Sequence, residues 1–154
     1  MPDRTCCNTP GLMPNSLTYL HVLPNGDLPS WKAPGAFRCI VIVQADVAPG
    51  WRSSLSDWMV HEGCRYMMAW GRDCSRWDDA VDDANLAKFA YGDIPEDQCV
   101  MTTWHEDETF SELLGFAKAL ANHPTVPLNH TVLLHIAPSG AETEMREAFA
   151  NAKD

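Results

Sequence analysis

Four apolar runs of strand length, separated by amphipathic stretches of helix length, constrain this chain more than any other feature. The runs are FRCIVIVQ (37–44), CRYMMAWG (64–71), QCVMTTW (98–104) and TVLLHIA (131–137). Apolar runs without alternation suit strands that are covered on both faces of a sheet. Between the first two, WRSSLSDWMVHEG puts Trp51, Leu55, Trp58 and Met59 on one helical face, and Gly63 supplies a stop. After the second, DCSRWDDAVDDANLAKFA carries an apolar stripe of Trp77, Ala80, Val81, Ala84 and Ala87, with Asp73 or Ser75 as N-cap. Thr109 and Glu112 form a capping-box pattern that opens a helix with Phe110, Leu113, Leu114, Ala117 and Leu120 facing inward. From Gly140 onward the composition is that of a last helix.

Strand and helix alternating at this spacing predict right-handed βαβ units. The expected fold is α/β: a three-layer Rossmann-like or flavodoxin-like sandwich with a mostly parallel sheet of about four core strands. A further N-terminal edge strand is expected at LTYLHVL (17–23), ended by the turn residues Pro24, Asn25, Gly26 and Asp27. That run lies within residues 1–35, which hold six of the eleven prolines and read as a proline-rich arm before a single α/β domain over 36–154. A chain of 154 residues buries a core without staples. The six cysteines, at 6, 7, 39, 64, 74 and 99, form no Cys-x-x-Cys pair, and most of them read as reduced, buried and structural. No apolar run spans a membrane and the first residues lack the apolar core of a secretory signal, so the expected location is cytoplasmic, away from membranes.

The formal charge of −10 is concentrated: twelve acidic residues face only Arg76 and Lys88 between Asp73 and Glu112. Such a field argues against direct nucleic-acid binding, which needs Lys and Arg at the phosphates, and favours a basic protein partner. Phosphate-binding glycine loops, nucleophile elbows and His-Glu-x-x-His motifs are absent, and no cofactor is expected.

In open α/β sheets ligands sit beyond the carboxyl ends of the strands. That rule selects Gln44 and Asp46, then Trp70, Gly71, Arg72, Asp73, Cys74 and Ser75, then Trp104, His105, Glu106, Asp107 and Glu108, and finally His135. The candidate catalytic residues are His105 and Glu106 as acid/base, Asp73 as orienter, and Cys74, whose helix N-terminus would favour a thiolate. Candidate ligand or partner contacts are Trp70, Arg72, Trp77, Asp78, Asp79 and Trp104. Asp73, Asp107 and Glu108 are candidate ligands for a divalent metal such as Mg²⁺ or Mn²⁺. Plainer roles stand beside each of these. Asp73, Asp78 and Asp79 suit a helix start. Asp82 and Asp83 suit a solvated face, His105 a polar loop, and His135 a hydrogen-bonded core position. Trp70 and Trp104 suit the packing of a sheet edge.

The stretches AWGRDCSRWDDAVDDANL (69–86) and MTTWHEDET (101–109) resemble those of a family of small uncharacterised bacterial proteins, a domain of unknown function. The likeness covers roughly Phe37 to Ala137. It implies a bacterial cytoplasmic origin and carries over no catalytic residue. Two main readings follow. The preferred one is a binding or accessory protein, such as an inhibitor, immunity protein or defence component, using an acidic, Trp-containing face at the strand ends. The other is a small hydrolase or transferase acting on a nucleotide-like or other small substrate, with Trp70 and Trp104 stacking on a flat group. Thiol chemistry at Cys74 is a third. The oligomeric state has no sequence signature here.

Overall fold

A computed structural model describes residues 16–153. Five strands form one sheet: β1 (Ser16–Val22), β2 (Phe37–Val43), β3 (Cys64–Gly71), β4 (Met101–Trp104) and β5 (His130–Ile136). Their order is β1-β5-β2-β3-β4, and every neighbouring pair is parallel. The sheet therefore has five strands where about four core strands were expected. The α/β sandwich itself is as read from the alternation.

Four helices cover it: α1 (Pro49–Glu62), α2 (Cys74–Lys88), α3 (Phe110–Ala119) and α4 (Glu142–Asn151). β2 explains why its run is apolar from Cys39 to Val43. Cys39, Val41 and Val43 face Leu55, Met59, Trp77 and Val81 of α1 and α2, while Ile40 and Ile42 face Leu113, Leu114 and Ala117 of α3. Both sets are buried, so neither face has room for a polar residue over these five positions, whereas Arg38 at the start of the strand is buried with its guanidinium donating to Ala121 O and the Thr131 hydroxyl. The helix starts and stops are as local as expected. Thr109 accepts from the Glu112 amide at 3.1 Å, Glu112 accepts from the Thr109 amide at 2.8 Å, and Gly63 ends α1 at φ 121°.

The edge strand expected at 17–23 is present as β1, which pairs with β5 along its whole length. The connection that follows is tied to α1: Trp51 Nε1 donates to Gly26 O, the Ala48 amide donates to Asn25, and the Ala33 amide donates to Glu62. Residues 1–15, including Cys6 and Cys7, lie outside the described residues. The third apolar run is strand only from Met101, because Glu96–Gln98 form a 3₁₀ turn and side chains hold the backbone that follows. Asn85 donates to Gln98 O and accepts from the Val100 amide, and Arg65 donates to Asp97 O. Finally, Asp73 occupies the N-cap of α2 in the left-handed region, φ 55°, and its side chain makes no capping bond.

Strand order reverses between β2 and β5. β3 and β4 are added on one side of β2, with α1 and α2 on one face, and α3 then carries the chain across the other face to β5. In folds of this kind that reversal opens the ligand crevice. Here it is stitched by hydrogen bonds: the Gln44 amide donates to Ile136 O at 2.9 Å, and Gln44 Oε1 lies 2.6 Å from His135 Nε2. No helix among the described residues is long and apolar enough to cross a membrane.

Candidate functional site

Beyond β3 the chain turns at Gly71, φ 101°, where a Cβ would lie 2.2 Å from Val43 O. Only glycine fits this position, and the turn then lets the Arg72 amide donate to the same carbonyl at 2.9 Å. Arg72 leans toward the end of β2 and pairs with Asp46 at 3.2 Å, both side chains largely in water. Such a pair contributes little to stability.

Beyond β4 the centre is His105, which is 4% exposed. Its Nδ1 lies 3.0 Å from Glu108 Oε2, its Nε2 lies 2.8 Å from the Thr103 hydroxyl, and its ring packs on Phe116. Both ring nitrogens are occupied within the protein. The histidine therefore holds the β4–α3 loop in shape and has no free nitrogen to offer a substrate. Trp70 fastens the same loop from β3, donating from Nε1 to Glu108 O at 2.8 Å and packing on Phe110.

Cys74 is 2% exposed and lies against the His105 backbone. Burial pushes its thiol above the ordinary range and Glu106 adds to this, while hydrogen bonds from backbone groups pull the other way. Burial thus opposes the thiolate that a place at the helix start favours.

The two tryptophans do not flank one space. Trp104 is in register with Ala69, so its side chain shares the α1–α2 face with Ala69, and Trp70, the next residue along β3, points to the α3 face. They cannot sandwich a flat group between them. Trp77 is fully buried in the core beside Trp51, its indole nitrogen without a hydrogen-bond partner, so it is not a partner contact. Its place in the apolar stripe of α2 already pointed inward. Asp78 is 8% exposed, whereas Asp79, Asp82 and Asp83 are exposed. Asp82 accepts from the Thr102 hydroxyl at 2.9 Å; partial burial holds its carboxyl above the usual range, and Asp78 and Asp79 add to the effect.

Asp73, Asp107 and Glu108 do not gather. Among the described residues no three His, Cys, Asp or Glu side chains stand where they could hold a metal ion together. Two grooves of about 290 Å³ each lie elsewhere. One, between α1 and α2, is lined by Arg52, Arg76, Asp79 and Asp83 and is balanced in charge. The other lies near the start of the sheet beside Pro34, Asn129 and His130.

Gln44 and His135, both selected at the strand ends, join in one polar cluster with Tyr19, which no sequence signal singled out. The Tyr19 hydroxyl lies 2.7 Å from His135 Nδ1, and the Ala141 amide donates to the same hydroxyl at 2.9 Å. With Gln44 Oε1 on His135 Nε2, both nitrogens of this buried ring are again satisfied. Burial, and His21 nearby, pull its pKa below the ordinary histidine value, which favours the neutral ring. The cluster links β1, β5 and β2 across 116 and 91 positions of sequence, a separation that no local pattern reveals.

No protein of curated function matches the chain. The profile of one family, described as a domain of unknown function (DUF7684), matches residues 17–152, from the start of β1 to the end of α4. The chain belongs to that family.

Proposed function

We propose that this chain is a binding or accessory protein that offers an acidic, tryptophan-bearing surface around α2 and β4 to a basic protein partner. The observation that carries the reading is Trp104: it sits on the last strand of the sheet with 49% of its surface in water. Its strand lies under α2, which exposes Asp79, Asp82 and Asp83, and leads into exposed Glu106 and Asp107. A half-exposed indole brings a large apolar area at low entropic cost, the pattern of an interface anchor. Surrounding carboxylates speed association with a basic surface and disfavour acidic competitors. No observation favours the hydrolase or transferase reading, since the tryptophans face opposite ways and His105 is occupied on both nitrogens.

The test is capture from extracts of the cells that make the protein, with wild type and Asp79→Lys/Asp82→Lys/Asp83→Lys compared at low and moderate salt. A basic protein retained by wild type and lost by the folded variant is the expected result. Equal retention by both would overturn the reading.

A further inference from the structure

β4 ends the sheet, and its backbone parity can be worked out. The His105 amide donates to Ala69 O, and Trp104 pairs in register with Ala69. In a parallel ladder this commits the backbone groups of residues 101, 103 and 105 to β3, and turns the N–H and C=O of Thr102 and Trp104 away from it. Val100 has the same outward parity, yet its amide is closed by Asn85 Oδ1 at 2.9 Å.

α2 lays one stripe of side chains along this strand. Asn85 meets Val100, and Asp82 meets the Thr102 hydroxyl. Asp78 is one helical turn further and falls level with Trp104, since four residues of helix and two of strand both advance about 6 Å. Asp78 is buried like Asn85 but breaks the pattern of the other two, since its Oδ1 has no hydrogen-bond partner among the described residues. A buried carboxylate oxygen left unpaired is costly and asks for a donor. Apolar surface is present on both sides of the strand, with Trp104 49% and Met101 38% exposed. The basic groups Arg65 and Lys88 reach Gln98 Oε1, before the strand begins, so the Trp104 end stays acidic.

These observations select the occupant. A second copy placed edge to edge would set Asp82 and its neighbours against the same carboxylates, which repel. An extended segment of a different, basic protein meets the open backbone groups, the indole and the carboxylates together. We propose that β4 is a docking edge: a basic segment adds as a sixth strand, hydrogen-bonds to Thr102 and Trp104, packs an apolar side chain on Trp104 and sends a Lys or Arg to the Asp78 and Asp82 carboxylates. This rests on the binding reading above and supplies its mode.

The experiment uses the full chain and a synthetic eight-residue peptide of repeating Lys-Thr-Val-Thr, in which lysine and valine alternate along one face of the strand, acetylated and amidated, with a Lys-Thr-Gly-Thr repeat of equal charge as control. Amide exchange is followed by NMR during titration of the alternating peptide to on the order of 1 mM. Exchange at Thr102 and Trp104 should slow at least tenfold, the control peptide should have no such effect, and affinity should fall at least tenfold in Thr102→Pro, whose ring removes the open amide. Trp104→Ala, which leaves the backbone intact, should weaken binding severalfold and serves if the proline variant is unfolded. If the peptide binds, is released by Asp79→Lys/Asp82→Lys/Asp83→Lys, and leaves both amides unprotected, the acidic surface stands and strand addition is overturned. Absence of binding by either peptide overturns both.

Discussion

β1 and β4 are the two outer strands of one parallel sheet, yet they are held in different ways. β1 pairs with β5 over seven residues and β4 with β3 over four. β1 is fastened further by neutral partners: Tyr19 to His135, and Ser16 and Thr18 to the two nitrogens of His130. Its outward Leu17 carbonyl accepts from Arg146 of α4 at 3.3 Å. β4 is fastened by an amide and a carboxylate from α2, and charge is left over at Asp78 and Asp82. Satisfied neutral networks hold a strand in one place, whereas unpaired charge beside open backbone leaves an edge able to accept something more.

The largest effect should come from removing the clamp on β4. Asn85 is 3% exposed, and Asn85→Ala leaves the buried Val100 amide without its acceptor, with an expected loss of about 2–3 kcal/mol in urea unfolding. A loss no larger than that of an exposed control would mean that α2 does not hold β4. Next in size, Tyr19→Phe on the opposite edge removes a donor to His135 and an acceptor for Ala141. A cost of about 1 kcal/mol is expected, with stability the readout. A cost above that of Asn85→Ala would reverse the contrast between the edges.

The smallest effect at neutral pH concerns the histidines beneath β1. Burial lowers the pKa of both His130 and His135. The unfolded chain therefore binds protons more readily, and the stability this withholds is absent above about pH 6.5 and grows as pH falls below it. Melting temperature should be flat from pH 8 to 7 and should drop toward pH 5.5, less steeply in His135→Gln. Identical slopes in the two proteins would remove His135 as a cause.

The contrast also separates what could be read along the chain from what could not. The capping box at Thr109, the stop at Gly63 and the doubly buried β2 run depend on neighbours within a few residues, and all are present. The start of β4 was read early because Gln98 to Val100 are apolar enough for a strand, while the side chains that hold them in another shape come from Arg65 and Asn85. Trp70 and Trp104 looked equivalent after their strands. Register decides the face, and register depends on which residue of one strand lies beside which of the other. The buried position of Asp78 was hidden for the opposite reason, since an acid near the start of a helix reads as a surface partner of the helix dipole. Asp107 and Glu108 matched the chemistry of metal ligands, but proximity in sequence did not bring them together with Asp73.

The position of β5 between β1 and β2 bears on how a growing polypeptide acquires this sheet. β2, β3 and β4 are neighbours in the order of synthesis and can pair as each leaves the ribosome. Ser16 pairs with His130, 114 positions later, an interval on the order of ten seconds at ordinary elongation rates. For that interval β1 has no native strand to pair with, and β2 carries a bare flank on the side that β5 will fill. The nascent chain thus holds a vacant slot between its own two earliest strands, and its sheet closes only when the last strand is inserted there.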